Sequence, residues 1–205
     1  MKSAIRLMVA VMGVWMGLAG VEHGIGEILQ GSVIPNGLMI QSWPDSAFFH
    51  SLNGEPAMTL LPNLLLTGIL TVLFSLLFTG WSVFFARHRL SGQGMMLLSI
   101  PMLLFGGGIF PPILGFLIGF AATRVPVETS PKPVSGLNQL LGRGWQWIFA
   151  ACCAAWLALF PGVAVLGYFF GVDETGVILA IMAAAFCLLL LAFWSGVQHD
   201  RLELS

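Results

Sequence analysis

Glu22, His23 and Glu27 stand together in Val21-Glu22-His23-Gly24-Ile25-Gly26-Glu27, at the far end of a long apolar run. On a helix, residues four apart share a face, so His23 and Glu27 would project together while Glu22 points elsewhere. Ionisable groups within a span are costly to keep in hydrocarbon and are a functional hypothesis by default. The chemistry open to such a group is proton relay or cation binding, with His50 or Glu55 of the following connector and Asn63 beyond it as possible partners. A rival reading comes from depth. Counting about 20 residues from Ala4 puts His23 near the outer boundary and Glu27 in the headgroup region, where wet carboxylates would merely cap the helix and His23 would bond a neighbouring segment. His23 and Glu27 alone fall short of a zinc site, which needs at least three ligands. A haem held by two histidines would need both in the membrane, and only His23 is near it. No metal and no cofactor is expected.

The second candidate is a run that no straight helix accommodates: Gly106, Gly107 and Gly108, followed by Pro111 and Pro112. Proline removes backbone donors, and each glycine costs a helix about 1 kcal/mol relative to alanine. Broken helices in membrane proteins can aim their termini at a transported ion. The plainer alternative is close packing, for which Gly115-x-x-x-Gly119 is suited.

The elements that must position these residues follow from composition. Of 205 residues 58% are hydrophobic and 8% are charged, against roughly 25% charged in soluble domains. So few charges cannot cover a water-soluble surface, and lipid must be the solvent. No charge falls within 56–86, 90–123, 144–172 or 175–199, each longer than the roughly 18 residues that mark a span. The expected fold is an all-α integral membrane protein, one membrane domain over 1–205. Four transmembrane helices are expected at about 4–30, 57–85, 145–170 and 176–197, plus a re-entrant helical hairpin at about 94–122. Each half of that hairpin has about a dozen residues, or about 18 Å as helix, too short to cross a core about 30 Å thick. An external connector covers 31–56, with a short helix expected from Pro44-Asp45-Ser46 to Asn53-Gly54 and Asp45 as its N-cap. A Pro- and Ser-rich cytoplasmic linker covers 123–144. A cleavable signal peptide is the competing reading of residues 1–19, with Gly17-Leu18-Ala19 as its small-residue site. The helical pattern continues past it to Gln30.

Charge sets the orientation. Basic residues collect on the cytoplasmic side, and with the hairpin all eight Lys and Arg fall on one side: Lys2, Arg6, Arg87, Arg89, Arg124, Lys132, Arg143 and Arg201. A single crossing at 94–122 would divide them four and four. The expectation is a multi-pass protein of the cell membrane with both termini cytoplasmic. Trp145 and Trp147 suit the aromatic belt at the start of the third span. Cys152, Cys153 and Cys187 lie in apolar segments and make no CxxC pair. The net charge of −1 argues against a nucleic-acid partner.

Three stretches carry a resemblance: Glu22 through Gly31, Leu61-Pro62-Asn63-Leu64-Leu65, and Phe105 through Pro112. They resemble an uncharacterised family of small prokaryotic multi-pass membrane proteins with no known activity. The likeness covers about the first 124 residues. It implies a prokaryotic membrane protein and supplies no catalytic residues. The expected function is a channel or transporter for a small ion or solute. The alternative is a non-enzymatic accessory or regulatory subunit; an external metalloenzyme site at His23, Glu27 and His50 ranks below both. Neither a Gly-x-Ser-x-Gly elbow nor a phosphate loop is present. Expected partners are the lipid bilayer and a second copy of the chain or another membrane protein.

Overall fold

The computed structural model describes residues 3–86, 88–124, 136–172 and 174–203. Lys2, Arg87, Asp173, residues 125–135 of the 123–144 linker (Lys132 among them) and the side chain of Arg124 lie outside the described residues. Among the described residues, four helices are long and apolar enough to cross a membrane. They are α1 (Ala4–Gln30), α2 (Leu64–Phe84), the α6–α7 segment (Trp145–Phe170) and α8 (Thr175–Leu202). Two shorter apolar helices, α3 (Ser91–Leu104) and α4 (Phe110–Arg124), lie between the second and third of these. The chain divides into two compact units, residues 9–124 and residues 1–8 with 125–205.

Within the 9–124 unit, α2 is inverted relative to a helix of a water-soluble protein. It buries Thr67, Thr71, Ser75 and Ser82 and exposes Leu66, Ile69, Leu73 and Leu77. In water this arrangement would forfeit the hydrophobic driving force; in lipid, small and polar residues are the ones that pack helices together. The partner is α1, whose Gly13, Gly17, Gly20 and Gly24 form one stripe. A Cβ at each would strike, in turn, Ser82, Thr79, Ser75 and the Gly68–Val72 stretch, so the two helices run antiparallel at close approach. Met95 and Met102 of α3 reach the same seam opposite Gly13 and Gly20. α3 and α4 pack side by side and also antiparallel: Gly92 at the start of α3 meets Gly119 and Thr123 near the end of α4. Gly115 lies against Ser99 and Phe78. Pro111 and Pro112 occupy the first turn of α4, where a helix has no use for their missing donors.

The connector differs from expectation. In place of a helix over 44–53 there is a single 3-10 turn at His50–Leu52, closed by Asn53 in the left-handed conformation. It is flanked by strands β1 (Met39–Gln41) and β2 (Pro56–Met58), paired antiparallel with Ile40 opposite Ala57. These strands take residues 56–58, so α2 begins at Leu64, later than the expected 57. Asn63 caps it, its Oδ1 accepting from Leu66 N at 3.1 Å. The connector then folds back on the helices: Leu60 N donates to Leu104 O at 3.0 Å, and Thr59 bridges to Phe105.

In the other unit, α5 (Leu137–Arg143) occupies part of the expected linker and packs on α8, with Gly142 against Gln198, His199 and Leu202. α8 is helical to Leu202, past the expected end at 197, and α5 covers that added turn. The α6–α7 segment is broken at Ala158–Gly162, where Phe160 leaves helical geometry ahead of Pro161, whose ring crowds the residue before it and which supplies no backbone donor. Asp200 of α8 caps the start of α1. Its carboxylate accepts from Ser3 Oγ at 2.6 Å, Ala4 N at 2.7 Å and Ile5 N at 3.3 Å. A carboxylate at a helix N-terminus satisfies orphan donors and opposes the helix dipole. Asp200→Ala is therefore expected to lower stability by about 1–2 kcal/mol, read as a fall in the thermal midpoint in detergent. An unchanged midpoint would mean that water replaces the cap at no cost.

Candidate functional site

The expected candidates in α1 and at the glycine turn are not two places. A Cβ at Gly106 would fall on the Glu27 carboxylate, and one at Gly108 would lie 2.6 Å from His23 Nε2. Both glycines hold positive φ, 105° and 76°, a conformation that residues with a Cβ adopt only under strain. The turn between α3 and α4 thus brings bare backbone against the His23 and Glu27 face of α1.

Glu27 is fully buried. The depth count from Ala4 pointed to a wet headgroup position, and the connector is the reason it is not wet. Ser42 and Trp43 lie over Gly26, whose absent side chain lets them approach. Gln30 holds them there, its Nε2 donating to Gln41 O and Ser42 O, each at 3.0 Å. Ser42 Oγ donates to Glu27 Oε1 at 3.3 Å. On the other side Thr71 Oγ1 lies 3.4 Å from Glu27 Oε2 and also donates to the Phe105 carbonyl oxygen. A hydroxyl carries one proton, while a carbonyl and an ionised carboxylate only accept. With that proton on Phe105, the Glu27–Thr71 contact is satisfied when Glu27 itself carries a proton. No Lys or Arg pairs with Glu27 among the described residues.

One turn towards the chain start, His23 is buried and its Nδ1 faces three oxygens: Ala19 O at 3.0 Å, Glu22 Oε2 at 3.2 Å and Glu55 Oε2 at 3.4 Å. Glu55 reaches α1 because Asn53, Gly54 and Glu55 all adopt positive φ (53°, 67° and 54°). Such a turn suits asparagine and glycine and is uncommon for glutamate. Burial, reinforced by the Glu22 carboxyl beside it, pushes the Glu55 carboxyl up to about 8, with the nearby His23 opposing. A raised carboxyl favours the protonated form in the folded state. The penalty for ionising it is absent below about 4.5, grows between there and about 8, and is constant above. In chelator-treated protein the thermal midpoint of Glu55→Gln should therefore rise relative to wild type across that window. A pH-independent difference would contradict this.

His50 is exposed and lies on the outer face of the connector beside Asp45, Ser46 and Asn53; it does not join the cluster. Asn63 serves as the α2 cap and donates to Ser32 Oγ at 2.7 Å, also apart from it. Gly107 is buried with its N–H bonded to Met102 O at 2.7 Å, closing the end of α3. Ser42 and Thr71 were missed in the sequence, and Glu55 appeared there only as one possible partner; a lone hydroxyl in a span carries no pattern that distinguishes it from packing. Glu22, His23 and Glu55 place ligand atoms within 4.8 Å of one another, close enough to share a metal ion. No family model, curated protein or solved structure matches this chain.

Proposed function

We propose that this chain moves small cations, protons included, across a prokaryotic cell membrane, with Glu27 as the group that binds and releases them. The supporting observation is the setting of Glu27: a fully buried carboxyl with no Lys or Arg partner among the described residues, whose neighbour Thr71 has one hydroxyl proton for two acceptors, Glu27 and the Phe105 carbonyl. An unpaired carboxylate in a low-dielectric site is too costly to persist, so such a group carries either a proton or a cation. Its position beside a broken helix pair is the arrangement that transporters use for ion sites.

In this reading α3 and α4 form a re-entrant hairpin. At 14 and 15 residues they are roughly 21–23 Å long, short of a core about 30 Å thick, and the start of one packs on the end of the other. Entry and exit on the same side keep all eight basic residues cytoplasmic, with both termini, and put the connector outside. Ions then approach from the connector side past Glu22, which is partly exposed, to His23 and Glu27. The resemblance of residues 22–31, 61–65 and 105–112 to small prokaryotic membrane proteins fits this setting. Against the accessory-subunit alternative, the Gly115-x-x-x-Gly119 face is occupied by α3 and Phe78 and is not free to bind another protein.

The test is flux into proteoliposomes holding the purified chain, with an imposed gradient and an internal pH dye or cation indicator. Expected is flux above that of empty vesicles and dependent on Glu27. Wild-type vesicles as tight as empty ones to protons, alkali cations and divalent cations would sink the proposal.

A further inference from the structure

The geometry points to a binding site for a divalent transition-metal ion of the zinc type, formed by Glu22, His23 Nδ1 and Glu55 where the connector closes over α1. This rests on the cation-transport reading and names the class of ion that the outer part of its path takes.

Two distances set the scale. His23 Nδ1 lies 3.2 Å from Glu22 Oε2 and 3.4 Å from Glu55 Oε2. Zinc bonds nitrogen and oxygen at about 2.0–2.2 Å, which places neighbouring ligands of a tetrahedron about 3.3–3.5 Å apart. Both carboxylates are therefore spaced from Nδ1 as ligands of one small ion, and all three ligand atoms lie within 4.8 Å of one another. The count of donors and acceptors favours the same conclusion. Glu55 is 5% exposed, and its Oε2, directed at His23, has no hydrogen-bond donor; Glu22 Oε1 is likewise buried without one. The Nδ1 hydrogen goes to Ala19 O at 3.0 Å, so the two carboxyls are held by each other and by the proton that one of them carries. A dication displaces that proton and satisfies both carboxylates and the ring nitrogen together.

The donor set selects the ion. Calcium asks for six to eight oxygens and magnesium for an octahedron of them, mostly water. One imidazole with two carboxylates matches zinc, and it leaves the fourth position open, as in sites that exchange a ligand. Binding displaces the Nδ1 proton, and the neutral ring then carries its proton on Nε2. That edge faces Gly108, where the absence of a side chain leaves it room. Glu27, one turn further along α1 and held by Ser42 and Thr71, stays outside the ligand set.

The test uses the full chain in detergent, stripped with chelator and titrated with Co²⁺ as a spectroscopic substitute for zinc. Expected is one Co²⁺ per chain, with the strong visible absorption of a four-coordinate site, displaced by Zn²⁺ and not by Mg²⁺. Glu55→Gln and Glu22→Gln should each weaken binding by more than the roughly tenfold that loss of an outer-shell partner costs. His50→Gln, at an exposed position apart from the cluster, should leave it unchanged. Gel filtration and circular dichroism identify any variant that fails to fold, and the two carboxylate variants test the site independently of each other. Absence of Co²⁺ absorption in wild type, or binding unaltered in both carboxylate variants, overturns the inference. Glu27-dependent proton flux without Co²⁺ binding overturns the metal site and leaves transport standing. Co²⁺ binding in a chain that passes no cation does the reverse.

Discussion

Glu27→Gln is expected to reduce cation flux by on the order of 100-fold or more, the scale on which loss of a proton-transfer group is felt, while leaving the chain folded. The amide has the shape of the protonated acid. It can accept from Ser42 and donate to Thr71, so the contacts at 3.3 and 3.4 Å persist and no buried charge is left unpaired. What it lacks is an exchangeable acid. The contrast with Glu22 is informative, because the Glu22 side chain is about one-third exposed and water can replace it in relaying a proton. Glu22→Gln should reduce proton flux by much less. Equal effects from the two substitutions, or an active Glu27→Gln protein, would remove Glu27 from the path.

Gly106→Ala carries the largest expected structural effect. At φ 105° a residue with a Cβ costs about 1–3 kcal/mol in backbone strain alone. The added methyl would also fall on the Glu27 carboxylate, so either the turn or the carboxyl must move. A large fall in the thermal midpoint is expected, with loss of flux. Gly80→Ala is the matched control in the same unit: its Cβ would meet nothing nearer than 3.9 Å, and a mid-helix alanine should raise stability by about 1 kcal/mol. A double-mutant cycle separates the two costs. Pairing Gly106→Ala with Glu27→Ala should recover the steric part and leave the backbone part, giving a favourable coupling. Zero coupling would mean that the turn and the carboxyl do not touch.

Much of the fold was legible because hydropathy is a summed property. Charge-free runs located three of the four long apolar helices; α1, which carries Arg6, Glu22 and Glu27, was located by its apolar run, with bounds read as Ala4–Gln30. The spacing of His23 and Glu27 likewise marked the face of α1 where polar groups gather. Glu55 was harder to place, because its arrival depends on three successive residues at positive φ, and only Asn53-Gly54 signals such a turn. The burial of Glu27 was misjudged because counting residues gives depth along a helix and says nothing of a connector that folds back over its end. The Gly13, Gly17, Gly20 and Gly24 stripe was visible in principle at spacings of four, three and four. Its meaning depends on the inward Ser and Thr of α2, a pattern that reads as ordinary apolar helix until the solvent is taken to be lipid.

The central claim is that Glu27 is a buried acid that exchanges its proton for transport. Infrared difference spectroscopy on the chain in lipid tests this most directly, through the carboxylic C=O band assigned by its disappearance in Glu27→Gln. Expected is a single Glu27-dependent band that is present when the site is protonated and is lost when the outer solution is made alkaline or a transported cation is added. A spectrum with no such band at any pH, or a band that never responds to either change, would contradict the claim.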